Sequence, residues 1–533
     1  MKKYIIFILF ISINLMAQQK TNPQNTEPLE LPNFIIQGNL QLDISTGTKQ
    51  DASKPLPLDS KLLDLVNSLD KQPPILINSS EIIPFTYKNK SYDAYIGIDF
   101  GRYSTGNIYG GYNFKLSDYS LNLTGNYNFT QGHQDYANCN KLDLKLTSDY
   151  IAPSKFYIFG GSRTRTNIEY KNYDFNLYSQ NISPINRKVN HFKTNLDVEG
   201  KFEGFDFNTG IGFNGFQFTS NEINTADNNF FGYLKAVTLL DDFLIGGNIL
   251  LDFHTIAGKS ASFIQLDGNL SILTKYISIS GNAGLQMASN IDGIDRGGLL
   301  LKGEIEYRMN KVMTIKGKVK SGLERQTFIE LFYSNPYLSN FTNFDWRYDI
   351  YDISGILEYH PNMYFQANAK FNMRHSDRIP VFVNTNSVLN GAFDINYQSG
   401  SVIESSIEAN LNLSLKDKLL ANLKATSSSL SDYSSKIIPY IPELKFGIEY
   451  HRKLFDKFGT VIGIDYIGSR YADIENNVSL DEYINLKMKF DYKIIENLLV
   501  NLYLDNILNS NIYLWDGYKE RGIFISFGVR YQF

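Results

Sequence analysis

From about Tyr92 to the C-terminus the chain repeats one pattern: segments of roughly 10–14 residues alternate apolar with polar residues, and turn residues bound each segment. A period of two is the signature of strands with one buried face and one wet face. The last segment shows it plainly. Ile523, Ile525, Phe527, Val529, Tyr531 and Phe533 share one face, while Gly522, Ser526, Gly528, Arg530 and Gln532 share the other, with Phe524 out of step. Earlier, Leu301, Ile305, Tyr307 and Met309 oppose Lys302, Glu304, Glu306 and Arg308. In the next segment Met313, Ile315 and Val319 oppose Lys316, Lys318 and Lys320.

A soluble sandwich would alternate too, so the connections decide. We read 22 segments between residues 92 and 533. After every even-numbered one the connection is short, as at Ser117-Asp118, Ala152-Pro153-Ser154, Asp241-Asp242 and Asn310-Lys311. After odd-numbered ones it is usually longer, above all at 169–188, 325–347 and 375–400. Short turns at one end, longer loops at the other and an even strand count describe a transmembrane antiparallel β-barrel. Such a barrel pairs every backbone polar group inside the bilayer without a helix. The composition suits it: 36 Tyr and 37 Phe against two Trp supply an outer wall and interfacial girdles. The expected fold is therefore all-β, with one face of each strand toward outer-membrane lipids. Within 204–218, Phe213 and then Phe216 fall out of phase around Gly215, and a β-bulge would account for that.

Other classes are excluded early. With 51 basic against 55 acidic residues the chain lacks the basic face of a nucleic-acid binder. Its single Cys139 cannot build a disulfide framework or a cysteine-rich metal site. The six histidines are scattered without ligand spacing, so we expect no metal and no cofactor. His375-Ser376-Asp377 has suitable residue types in an expected external loop, but neighbours in sequence do not make a triad, and we expect no enzyme. Gly110-Gly111, Gly160-Gly161, Gly246-Gly247 and Gly297-Gly298 are expected within or beside strands rather than around a phosphate.

The N-terminus gives the compartment. Lys2 and Lys3, an apolar run from Tyr4 to Met16 and then Ala17 form a secretory signal peptide over 1–17. A periplasmic segment follows over 18–91, with the barrel over 92–533. The segment holds a proline-rich linker, a β-prone stretch over 34–44 and a short helix over 60–71, with Leu62, Leu65, Val66 and Leu69 on one face.

Leu502-Tyr503-Leu504-Asp505-Asn506-Ile507-Leu508-Asn509, then Tyr513, Trp515-Asp516-Gly517-Tyr518 and Arg521-Gly522, then Arg530-Tyr531-Gln532-Phe533 resemble the last two strands of TonB-dependent outer-membrane receptors. Ile438-Pro439-Tyr440-Ile441-Pro442 is similar to a proline-containing loop before that family's later strands. The resemblance implies a 22-stranded barrel, and a C-terminal signal at Tyr531 and Phe533 read by the barrel-assembly machinery. It also implies a plug domain before the barrel, and residues 18–91 are too short for a complete one. Phe34, Ile35, Ile36, Gln37 and Gly38 distantly resemble the TonB box, which would add as a strand to TonB or another periplasmic protein.

The lumen face carries charges of both signs, with Lys302, Glu304, Glu306 and Arg308 expected opposite Lys316, Lys318 and Lys320, and Lys487 and Lys489 near Asp491 and Glu496. The 325–347 loop is aromatic, and Phe332, Tyr333, Tyr337, Phe341 and Trp346 are candidate external contacts for an unknown small solute. Folding back to constrict the pore and packing on neighbouring loops are the alternatives. The expected function is solute binding or passage at the outer membrane. A passive diffusion channel, or a scaffold barrel whose lumen holds a partner protein, remains open.

Overall fold

A computed structural model describes residues 93–533, apart from 157–159, 180–184, 221–222, 340–342, 385–390, 434–435 and 456. The signal peptide, the Phe34–Gly38 box and the 60–71 helix lie outside the described residues, as does Phe341.

Among the described residues, 22 strands form one antiparallel sheet that closes on itself. Each strand pairs with the next along the wall, from Ala94–Gly101 to Phe524–Gln532, and those two pair to close it, with Tyr95 opposite Gln532 and Gly101 opposite Ser526. No helix is long and apolar enough to cross a membrane among the described residues. Alternation sets the register because a slip of one residue would turn every apolar side chain inward. Leu301, Ile305 and Tyr307 accordingly stand exposed on the outer wall, and Glu306 is buried in the lumen wall. On the last strand Ile525, Phe527, Tyr531 and Phe533 face outward, while Phe524 turns inward and is buried under Arg521.

One end of the barrel is closed by tight turns. At 203–204 both residues take positive φ, 46° at Glu203 and 89° at Gly204, the two-residue geometry that matches the twist of paired strands. Exposed apolar side chains sit at this rim, among them Phe202, Phe205, Leu240, Phe243, Met363, Tyr364, Leu415 and Phe455. They form the lower girdle of the wall.

Three expectations about the loops are corrected. The fifth strand is Arg163–Leu177, so much of the expected 169–188 connection is strand. Pro153 breaks the wall, and Ala152 is instead bridged to the start of the next strand, Gly161 N–H donating to Ala152 O at 3.0 Å and Ala152 N–H to Ser162 O at 2.8 Å. Gly160-Gly161 belongs to this connection. The 375–400 loop is largely strand: Phe365–Asn384 and Phe393–Asn412 run 20 residues each, so Asp394–Tyr397 extends the following strand and His375-Ser376-Asp377 lies in the wall.

No bulge occurs around Gly215, since Phe205–Ser220 keeps unbroken register with both neighbours. Phe213 faces out and Phe216 faces in. The apparent phase break arises because the lumen itself becomes apolar at that height.

Candidate functional site

The apolar stretch of the lumen is produced by the longest loop. The described residues of 325–346 turn back into the loop end of the barrel rather than out into solvent. The turn begins with a capped helix, Phe328–Ser334. Thr327 Oγ1 accepts from Glu330 N–H at 3.2 Å, and Thr327 N–H donates to Glu330 Oε2 at 2.9 Å, a reciprocal capping box. Phe328, Leu331 and Phe332 fall on one face and are buried. They pack on Phe216 and Phe218 of the wall, with ring centroids 4.9 Å apart for Phe216–Phe332 and 5.5 Å for Phe218–Phe332.

The cap crosses the mouth. Its core joins Phe175, Val189, Phe263 and Ile395 of separate strands to Leu338, Phe344 and Trp346 of the loop. It continues to Tyr440 and Tyr518 on loops beyond, where Tyr337 and Tyr518 stack with centroids 3.5 Å apart. Polar anchors fix it at every side. Arg187, fully buried, donates to Pro336 O at 2.6 Å. His191 Nδ1 meets Tyr333 OH at 2.8 Å, Trp346 Nε1 donates to Ser289 O at 2.9 Å, and Arg378 Nε donates to Trp346 O at 2.7 Å. Arg296 grips Asp345 with two bonds, at 2.9 and 2.5 Å, the planar fork that makes arginine a strong carboxylate partner.

At the root of the cap, Arg325 Nε bonds Asp252 on the wall. Asp252 also receives Asn229 Nδ2, and His254 lies between Asp227 at 3.1 Å and Asp252 at 3.3 Å. All three wall side chains of this ion cluster are fully buried, so each charge depends on its partners.

Below the cap the lumen is lined by ion pairs. Glu304 and Lys318 pair across the strands at 3.4 Å, Glu306 accepts from Arg308 at 2.8 Å, and Lys316 reaches Glu358 at 2.7 Å. Opposite them, Lys487 pairs with Asp465 at 2.6 Å and Lys489 with Asp491 at 3.5 Å. Both signs of charge thus line the wall at short range.

The sequence-derived site residues therefore divide. Phe332, Tyr337 and Trp346 are buried in the cap and Tyr333 is half-buried, so the loop folds back and packs at once. Tyr531 and Phe533 meet edge to face on the outer wall with centroids 4.9 Å apart. His375 Nδ1 meets Ser401 Oγ at 2.8 Å, whereas buried Ser376 donates to Asp349 at 2.7 Å and Asp377 accepts from Ser399 at 2.9 Å. Those three neighbours thus have three separate partners. The sequence reading missed the helix, although Thr327-Phe328-Ile329-Glu330 carries a capping-box signature, and it missed the latch of Arg325, Asp252 and His254.

The residues that carried the resemblance build the last loop. Asn506 and Asn509 take left-handed φ of 48° and 54°, and Asn506 Nδ2 donates to Ser510 O at 2.9 Å and Arg521 O at 3.1 Å. Arg521 pairs with Asp505 at 3.1 Å.

No family model matches the chain, and no curated protein matches it. Solved structures do. The FrpB iron transporter from Neisseria meningitidis, in an apoprotein form, superposes with a TM-score of 0.67 at 10% identity, over 84% of this chain and 81% of that one. The siderophore receptor PiuA from Acinetobacter baumannii gives 0.62 at 9% identity, over 83% and 82%. The copper transporter OprC gives 0.64 at 11%, over 83% and 80%. At these identities the likeness is one of fold.

Proposed function

We propose that this chain is an outer-membrane transporter or receptor that admits a small solute at its loop end and passes it through the charged lumen. The observation that carries the reading is the cap: a wide ion-lined barrel has its loop-end mouth closed by a buried aromatic lid. The barrel's likeness to metal and siderophore transporters supports a transport role, and the exposed apolar wall supports the outer membrane as its place. In this reading residues 1–17 direct export, 18–91 lie in the periplasm, and Phe34–Gly38 adds as a strand to TonB, which supplies the work of opening.

Planar-bilayer conductance tests it. The full chain should be closed, and replacing 326–346 by a short Gly-Ser bridge should open it or raise its conductance several-fold. A large steady conductance from the intact chain would instead identify a passive diffusion channel. A barrel still sealed without both 326–346 and 18–91 would identify a non-transporting scaffold. Capture by the periplasmic TonB domain should be lost on deleting 34–38, and indifference to that deletion would falsify the box.

A further inference from the structure

Beside the cap lies a cavity of about 130 Å³ that the cap and lumen do not account for. It is framed by Tyr103, the 131–138 loop, the strand Arg163–Leu177, Tyr178, Tyr337 of the cap and the Glu520-Arg521 pair. For scale, an engineered apolar cavity of ~150 Å³ holds a benzene ring.

Its walls are preorganised. His133 stands edge-on between Tyr103 and Tyr178, with centroids 6.2 and 6.0 Å away, and its Nε2 is fixed on Lys519 O at 2.7 Å. Thr105 and Thr130 bond each other at 3.0 Å, and Asn176 is committed to Asn138 at 2.7 Å. Three groups that line the space are left over. The Glu520 carboxyl and the Asn128 amide have no side-chain hydrogen-bond partner among the described residues, and Arg521 Nε is buried without one.

Unpaired polar groups in a cavity select for a ligand that pairs them, because an analogue lacking the matching groups leaves them desolvated and unsatisfied. The charge around the space nearly cancels. Lys141 and Arg521 flank Glu520, and Asp505 already neutralises Arg521. A small cation would meet two positive neighbours, and a small anion would meet Glu520. What fits is a neutral, ring-sized molecule with hydroxyls at its edge and C–H groups on its faces.

We propose that this cavity binds a hydroxylated ring of the monosaccharide class, with the Tyr103–His133–Tyr178 wall against its C–H groups and Glu520, Asn128 and Arg521 on its hydroxyls. This deepens, and rests on, the transport reading. Tyr337 both lines the cavity and stacks on Tyr518, two residues before Glu520, so an occupant touches the seam between cap and last loop. It can bias opening only by binding the two cap positions unequally.

The test uses full-length protein folded in detergent, with saturation-transfer NMR against D-glucose and N-acetyl-D-glucosamine, and ethanolamine and succinate as a cation and an anion. Transfer to the sugar ring is expected. Loss of one buried hydrogen bond should weaken it about tenfold in each of Glu520→Ala and Asn128→Ala, with heat-modifiable mobility on gels unchanged as the folding control. No transfer to either sugar, preference for ethanolamine or succinate, or sugar binding indifferent to both variants overturns the proposal. The two readings fail separately. A sugar-blind barrel that opens when the cap is removed sinks this inference alone, and a sugar-binding barrel that stays sealed sinks the transport reading alone.

Discussion

At the residue scale the stability of the cap concentrates in a few buried charges. His254, Asp227 and Asp252 form a dry cluster that the half-buried Arg325 closes, and removing one partner of a buried set costs about 3–5 kcal/mol because the other charge stays behind unpaired. Asp252→Asn or Arg325→Ala should therefore free the root of the cap. In single-channel recordings openings should become at least about a hundredfold more frequent, the Boltzmann equivalent of ~3 kcal/mol. Unchanged gating in both variants would mean the cluster does not hold the cap.

Glu520 supplies a pH dependence. Burial raises its carboxyl from the usual carboxylate range to about 7, against the pull of Arg521 and Lys141. A group whose pKa is raised on folding adds stability that is complete below its unfolded value and is lost as pH rises through the folded value. Amide exchange over 506–523 should thus quicken beyond its intrinsic rate between about pH 4.5 and pH 7 and level off above that, while Glu520→Gln flattens the profile. An unvarying wild-type profile would contradict the burial of this acid.

At the element scale, the cap helix is seven residues long, too short to persist by propensity alone. It depends on its capping box and on the wall. Thr327→Ala should cost about 1 kcal/mol of cap stability, and Phe332→Ala about 3–5 kcal/mol. Limited proteolysis within 325–346 should accelerate in that order, and equal rates would show that packing does not dominate.

Elements were also where the sequence was most and least legible. Alternation located strands such as Tyr119–Thr130 and Phe243–Ile256 nearly to the residue, because lipid outside and water inside impose opposite polarities. Where the strands rise into the capped mouth, the inward side chains are Phe216 and Phe218 rather than charges, and the period of two no longer marks a face. The same loss of contrast left 375–400 reading as a connection, with Asp394–Tyr397 open between extending the following strand and pairing separately. The aromatic loop itself was evident from composition. Its inward fold was not, since its partners, from Arg187 to Tyr518, are distant in sequence.

At the scale of the whole molecule, the first and last strands close the wall, and Phe533 N–H donates to Ala94 O at 2.8 Å beside that seam. The outward edge-to-face pair of Tyr531 and Phe533 sits on the same edge. Deleting Phe533 should lower the membrane-inserted fraction in a reconstituted assembly reaction several-fold while leaving far-UV circular dichroism of detergent-refolded protein unchanged. Equal insertion would remove the terminal aromatic from the assembly signal. The band of exposed Ile, Leu and Phe around the wall predicts that purified protein needs detergent and migrates faster on gels before heating than after. Failure of both would end the barrel reading.

The reach of the cap along the chain also orders its making. Arg187, Asp252, Phe393, Tyr440 and Tyr518 all touch it or its core, and they are spread over more than half of the sequence. The lid is therefore complete only once the loop that precedes the closing strand is in place, so its integrity reports on segments spread from the sixth strand of the wall to the last loop.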